Sequence, residues 1–296
     1  MECYQQTLTD LNSAIAQNTD NAKALAQQGE SYRLMGDFEA ALAYFNRAVE
    51  LNFNYAWAIA HRGEIYHQMK RYEEARTDFS RAIDLNPNYT WAIAHRGVTY
   101  RFRGKPYYDK ALADLTRAIE LNPDYAWAIA YRCQIYGLMN SYENALVDFD
   151  QAIALDKTII PNWPGERGLL LSYLGRYAEV IECCKQGLQD NPDDYITLYT
   201  LAVIETRRKG LAEAKTTIDK TRAALQATIK TKACAGILYR LGGLAALEGN
   251  FEQALSFLQE AILLDNEPLE LARRDLAWLD LCDHSDFQVL INSTIY

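Results

Sequence analysis

The side chains best equipped for chemistry in this sequence are four histidines, six cysteines and a group of tryptophans that recur beside two of the histidines. The histidines are His61, His67, His95 and His284. His61 and His67 stand six residues apart, which on a helix turns them too far around the axis to share a metal in the i, i+4 manner. Cys3, Cys133, Cys183, Cys184, Cys234 and Cys282 form no C-x-x-C pair, and adjacent Cys183 and Cys184 cannot readily bridge within a helix. Free thiols in a reducing compartment are the expectation. Reactivity at Cys183 and Cys184 competes with a plainer role, because the second falls in an apolar packing slot. No P-loop, G-x-S-x-G, H-E-x-x-H or dinucleotide fingerprint occurs. The sequence therefore predicts no catalytic residue, no metal and no cofactor.

Bulk properties narrow the partners. The formal net charge is −9 over 296 residues, whereas a phosphate-binding surface needs a basic excess. Nucleic acid and anionic membrane surfaces are thus unfavoured. No apolar run approaches the ~18 residues of a membrane helix. The opening MECYQQTLTD lacks the basic and apolar regions of a secretory signal. A cytoplasmic location is expected. Hydrophobic residues at 49% and charged residues at 23% indicate a folded chain, and only seven prolines favour helix.

The elements that hold the tryptophans repeat. NYAWAIAHRGEIY begins at Asn54, NYTWAIAHRGVTY at Asn88 and DYAWAIAYRCQIY at Asp124, spacings of 34 and 36 residues. The two extra residues fall near Gly104-Lys105-Pro106, where a turn can absorb them. Each period divides into two amphipathic helices. Ile59, Gly63 and Tyr66 share one face of the first; Tyr72, Ala75, Phe79 and Ala82 share one face of the second. Asn86-Pro87 ends the unit, since proline disfavours helix in the residue before it. Small residues recur at Gly29, Gly63, Gly97, Cys133, Gly168 and Gly242, followed one turn later by Tyr32, Tyr66, Tyr100 and Tyr136. Alanine recurs in the second helices at Ala41, Ala75, Ala111, Ala145, Ala214 and Ala254.

These slots and the 34-residue period resemble the tetratricopeptide repeat (TPR) family over nearly the whole chain. The resemblance implies an all-α fold, a right-handed superhelical solenoid of antiparallel helix pairs closed by a C-terminal capping helix. Units are expected at 22–55, 56–89, 90–125, 126–160, 161–194, 195–234 and 235–268, with 161–194 and 195–234 divergent. Residues 1–21 fit the second helix of a cut opening repeat. The remaining 269–296 form a cap in which Leu269–Leu281 is one helix, with Phe287, Val289 and Leu290 folding back on it. Segments such as AWAIAHRGE also resemble the TPR sensor regions of bacterial signalling proteins of the STAND-type ATPase class.

By the family's pattern, first helices line a concave groove. A separate helical-wheel argument turns Trp57 and His61 about 200° from the packing stripe. Register then sets Lys23, Gln27 and Glu30 beside Trp57, His61 and Glu64, then beside Trp91 and His95, then beside Trp127, Tyr131 and Gln134, with Arg101 one turn further on. Ala26, Ala60, Ala94 and Ala130 would leave open space between them. Two readings stay open: a peptide-binding groove rich in aromatic and arginine side chains, or a ladder packing one repeat on the next. Arg62, Arg96 and Arg132 accompany Asp78, Asp114 and Asp148, either as pairs between the two helices of a repeat or as solvated charges. Binding of a protein or peptide is the expected function, with self-association a possibility. A small-ligand or enzymatic site in the superhelical channel is the alternative.

Overall fold

The computed structural model describes residues 21–160, 163–230, 234–265 and 267–292. Among these the regular elements are all helices, without a strand. Tyr4, Thr7, Leu11 and Ala14, read above as half of an opening repeat, lie outside the described residues. The chain divides into two compact units, Met1–Ile159 and Ile160–Tyr296.

Among the described residues the first unit holds four helix pairs: α1 (Ala22–Leu34) with α2 (Phe38–Leu51), α3 (Ala56–Gln68) with α4 (Tyr72–Leu85), α5 (Thr90–Phe102) with α6 (Tyr108–Leu121), and α7 (Ala126–Leu138) with α8 (Tyr142–Leu155). Helices α2, α4 and α6 each pack on the next first helix, and consecutive first helices touch, so α1, α3, α5 and α7 form a row along one face. The turn within a pair is closed by a residue in left-handed backbone: Gly36 (φ 81°), Lys70 (φ 60°), Gly104 (φ 91°) and Asn140 (φ 59°). The turn between pairs is set by asparagine. Asn52, Asn86 and Asn122 leave helical geometry, and each Oδ1 accepts the amide two residues on, at 3.1–3.3 Å. The two-residue insertion appears as a 3-10 turn at Lys105–Tyr107, where Arg103 donates to the Tyr107 hydroxyl at 2.7 Å.

Small residues let the paired helices meet. A Cβ on Gly97 would lie 3.1 Å from the Ala111 carbonyl oxygen and 3.0 Å from Leu115 Cγ. Ala75, Phe79 and Ala82, like Ala111, Leu115 and Ala118, are fully buried on the facing stripe.

The arginine–aspartate pairs form in all three repeats. Arg62 grips Asp78 through two bonds of 2.7 Å, Arg96 grips Asp114 at 2.7 and 2.8 Å, and Arg132 grips Asp148 at 2.7 Å twice. The free arm of each guanidinium donates to the second helix of the preceding repeat, to Asn46 at 3.0 Å, Ser80 at 3.2 Å and Thr116 at 3.2 Å. One side chain therefore ties three helices. Planar five-donor geometry suits arginine for this and excludes lysine.

The second unit stacks α9 (Trp163–Tyr173) with α10 (Tyr177–Asp190), α11 (Tyr195–Lys209) with α12 (Leu211–Ile229), and α13 (Ala235–Leu247) with α14 (Phe251–Leu264). Cys183 and Cys184 are both buried in α10, and burial pushes the Cys184 thiol well above its ordinary range. That favours the packing role over reactivity.

The cap differs from the single helix expected over Leu269–Leu281. Helix α15 (Glu267–Ala272) stops, Asp275 adopts extended backbone, a 3-10 helix spans Leu276–Leu281, and α16 (Ser285–Asn292) follows. The cause is the Asp275 carboxylate. It accepts the Ala277 amide at 2.9 Å and the hydroxyls of Tyr199 at 2.9 Å and Tyr239 at 2.6 Å, which continued helix would not align. The 3-10 turn then places Trp278 in the core with no exposed surface, against α13, where a Cβ on Gly242 would come within 2.7 Å of its ring. Phe287 is buried as expected, but Val289 is 70% exposed and takes no part.

Candidate functional site

Within the first unit, the 34-residue period and the i, i+4 spacing of tryptophan and histidine together build one aromatic column. Along a single helix, an imidazole one turn after an indole lies over its face. His61 is thus 4.1 Å from Trp57, His95 is 3.9 Å from Trp91, and Tyr131 is 4.5 Å from Trp127, between ring centroids. The next repeat closes the other side: His61 to Trp91 is 4.7 Å and His95 to Trp127 is 4.5 Å. The result is Trp57–His61–Trp91–His95–Trp127–Tyr131, six rings in alternating order. Phe45 and Phe79 back it from the second helices, at 6.0 Å from Trp57 and Trp91.

A glutamate from the repeat before holds each histidine. Glu64 Oε2 sits 2.7 Å from His95 Nδ1, and its other oxygen accepts Gln68 Nε2 at 2.8 Å. Glu30 Oε2 is 3.4 Å from His61 Nδ1, an ion-pair distance without good hydrogen-bond geometry. Glu30 also takes a bidentate fork from Arg33 at 2.6 and 2.7 Å. Burial alone would raise the Glu30 pKa; the Arg33 fork, with His61 nearby, outweighs it and holds the carboxyl at about 2. Folded-state pKa below the unfolded value means stability that is complete above the unfolded pKa and lost as pH falls toward the folded one. Between pH 4.5 and about 2, the Glu30→Gln variant is therefore expected to lose less stability than the parent, read as a shallower fall of the thermal midpoint with acidification. Parallel curves would show that the carboxylate is not paired in solution.

The predicted residues sort into two groups. Lys23, Gln27 and Gln134 are exposed on the first-helix face. Glu30, His61, Glu64, His95, Tyr131 and Arg101 are half-buried, as are Trp57, Trp91 and Trp127. The tryptophans are partly covered and each stacks on rings of its own and of the neighbouring repeat, so the ladder takes part in packing repeat on repeat. The alanines correct the expectation of open space. Ala26, Ala60 and Ala94 are fully buried and Ala130 is 5% exposed, because neighbouring first helices touch and the methyl groups fill that contact. Val98, in register with Glu64 and Gln134, is also buried.

Sequence reasoning missed a second row on the same helices. Leu34, Phe102 and Leu138 stand at one register position in the last turns of α1, α5 and α7, and are 51%, 44% and 38% exposed. Their signal was apolar side chains outside the packing stripe, just before the turn.

Models of the tetratricopeptide repeat match residues 22–55, 56–89 and 235–268. No curated protein matches the chain. Among solved structures, a tetratricopeptide repeat protein from Parabacteroides merdae ATCC 43184 is similar at 17% identity and a TM-score of 0.67, over 87% of this chain and 98% of that one. YrrB, described as a TPR protein with an unusual peptide-binding site, is similar at 21% identity and a TM-score of 0.53, over 64% of this chain and 96% of that one. The Cut9–Hcn1 hetero-tetramer of the APC/C contains a chain similar at 15% identity and a TM-score of 0.56, over 75% of this chain and 43% of that one. Likeness at these identities concerns the fold.

Proposed function

From the premise that this chain carries tetratricopeptide repeats, we propose that it is a non-catalytic scaffold or sensor module. It binds a peptide or a protein segment along the first-helix face of its first unit. The observation that carries this reading is that exposed Lys23, Gln27 and Gln134 and a half-buried six-ring column stand on one continuous row of first helices. Half-buried aromatic rings and long polar side chains on a rigid scaffold suit peptide recognition, because the surface is ordered before the ligand arrives. YrrB is described as having an unusual peptide-binding site and Cut9–Hcn1 as a hetero-tetramer, and both support the reading by analogy. The resemblance of the AWAIAHRGE segments to STAND-type sensor regions favours a sensing role, with activity supplied by another domain. No helix among the described residues is long and apolar enough to cross a membrane, and no cluster of three or more His, Cys, Asp or Glu residues among them could hold a metal.

The test uses exposed positions, so that folding is kept apart from binding. A displayed random-peptide library is selected on the parent and on a Lys23→Glu, Gln27→Arg, Gln134→Arg triple variant of matched helicity and thermal midpoint. Enrichment on the parent is expected to fall at least tenfold on the variant, about 1.4 kcal/mol. Equal enrichment would remove this face from the mechanism, and concentration-dependent self-association blocked by the same changes would identify a second copy as the occupant.

A further inference from the structure

The cations of this face are unequal in their partners. Arg33 is forked onto Glu30. Arg101, at the same register two repeats on, has no carboxylate or carbonyl among the described residues accepting from its guanidinium, and its Nε is sealed from solvent without an acceptor. The guanidinium is held only by rings, 4.8 Å from the Phe102 centroid and 5.9 Å from that of Tyr131. A donor covered in this way without an acceptor is costly, whereas a carboxylate meeting the rest of the fork would gain charge-assisted bonds in a partly desolvated setting.

Space for such a group is present. In the next repeat the position matching Arg101 is Gly137, and a Cβ built there would meet no atom of the described residues within 4 Å. Exposed apolar side chains flank the arginine, Phe102 beside it on the same helix and Leu138 in the next repeat, while the repeat before carries exposed Gln68 at that register and Leu34 stands one repeat further. A chain lying across Phe102 and Leu138 meets Arg101 between its ends instead of ending at it.

Resting on the binding role above, we propose that Arg101 is the specificity anchor of this face, taking the side-chain carboxylate of an internal Asp or Glu in a partner peptide whose neighbouring residues are aliphatic or aromatic. The carboxylate enters over the Gly137 gap and accepts from the guanidinium. The flanking apolar residues cover Phe102 and Leu138.

The test is a positional-scanning library of C-terminally amidated peptides, which removes free terminal carboxylates as a source of binding. It is bound to the full chain and to its Arg101→Gln variant. On the parent, one position is expected to select Asp and Glu over Asn and Gln at least tenfold, with aliphatic or aromatic preference on each side. On the variant that acidic preference disappears while the flanking preferences remain. A second measurement does not depend on the variant folding. In the isotope-labelled parent, the Arg101 Nε–H resonance shifts on adding the selected acidic peptide and stays in place with its Asn or Gln counterpart. Selection without acidic preference, or acidic preference that survives in Arg101→Gln, overturns this assignment and leaves peptide binding standing. Failure of the parent to select any peptide overturns both.

Discussion

Replacing Asp148 with alanine is expected to destabilise the first unit by about 3 kcal/mol, although the residue lies at no proposed contact with a ligand. Asp148 is nearly buried and accepts two bonds of 2.7 Å from Arg132, itself largely covered. Deleting the carboxylate strands a desolvated guanidinium whose remaining bond, to Thr116 at 3.2 Å, cannot balance it. Removing both charges, as Arg132→Met with Asp148→Leu, is expected to cost much less than either single loss, because no charge is left without a partner. Hydrogen exchange is the measurement of choice, since repeat arrays open locally and a single global transition would average the effect. Amides of α7 and α8 lose protection most in Asp148→Ala. The inter-repeat arm extends the loss into α6, and protection unchanged in α6 would mean that the Thr116 bond contributes nothing.

The second large effect belongs to the cap. In Asp275→Ala, the Tyr199 and Tyr239 hydroxyls and the Ala277 amide lose their acceptor together, in a region where both rings are buried. At about 1–3 kcal/mol for each stranded buried group, partly relieved by local opening, a loss of roughly 3 kcal/mol follows. Its signature is structural. The 3-10 turn no longer has a reason to form, so Trp278 leaves the core and its emission moves to longer wavelength, while protease gains access near Arg273 and Arg274. Asp275→Asn keeps one oxygen acceptor and is expected to fall between. Burial and the neighbouring carboxylate already hold both tyrosine hydroxyls well above their ordinary pKa, so they stay protonated donors across the neutral range.

The helix pairs were legible because glycine, tyrosine and alanine recur at fixed offsets, and those slots are the packing surface itself. The Arg62–Asp78 type of pairing was legible for a related reason, since both partners recur together and are absent together from the first repeat. Its third member was not. Asn46, Ser80 and Thr116 share only an oxygen at the end of a short side chain, and a search by residue type does not connect them. The aromatic residues were found, but not their order, because alternation depends on how far adjacent first helices stand apart. The same distance buried the alanines that had been read as space. Asp275 escaped notice since nothing in its local sequence shows that two distant tyrosines converge on it. Arg101 was picked out by register, while its lack of an acceptor is visible only once every neighbour is placed.

The third bond of each arginine bears on how such a chain could change length. Excision of residues 56–89 would set Arg96 opposite Asn46 in place of Ser80, and duplication of the same residues would set the second copy of Arg62 opposite Ser80 in place of Asn46. Because any of the three can receive the same N–H, whole modules can be dropped or copied without creating an unmet donor at the new junction. A linkage tolerant of its acceptor is thus also a tolerance for evolution by recombination in steps of one repeat.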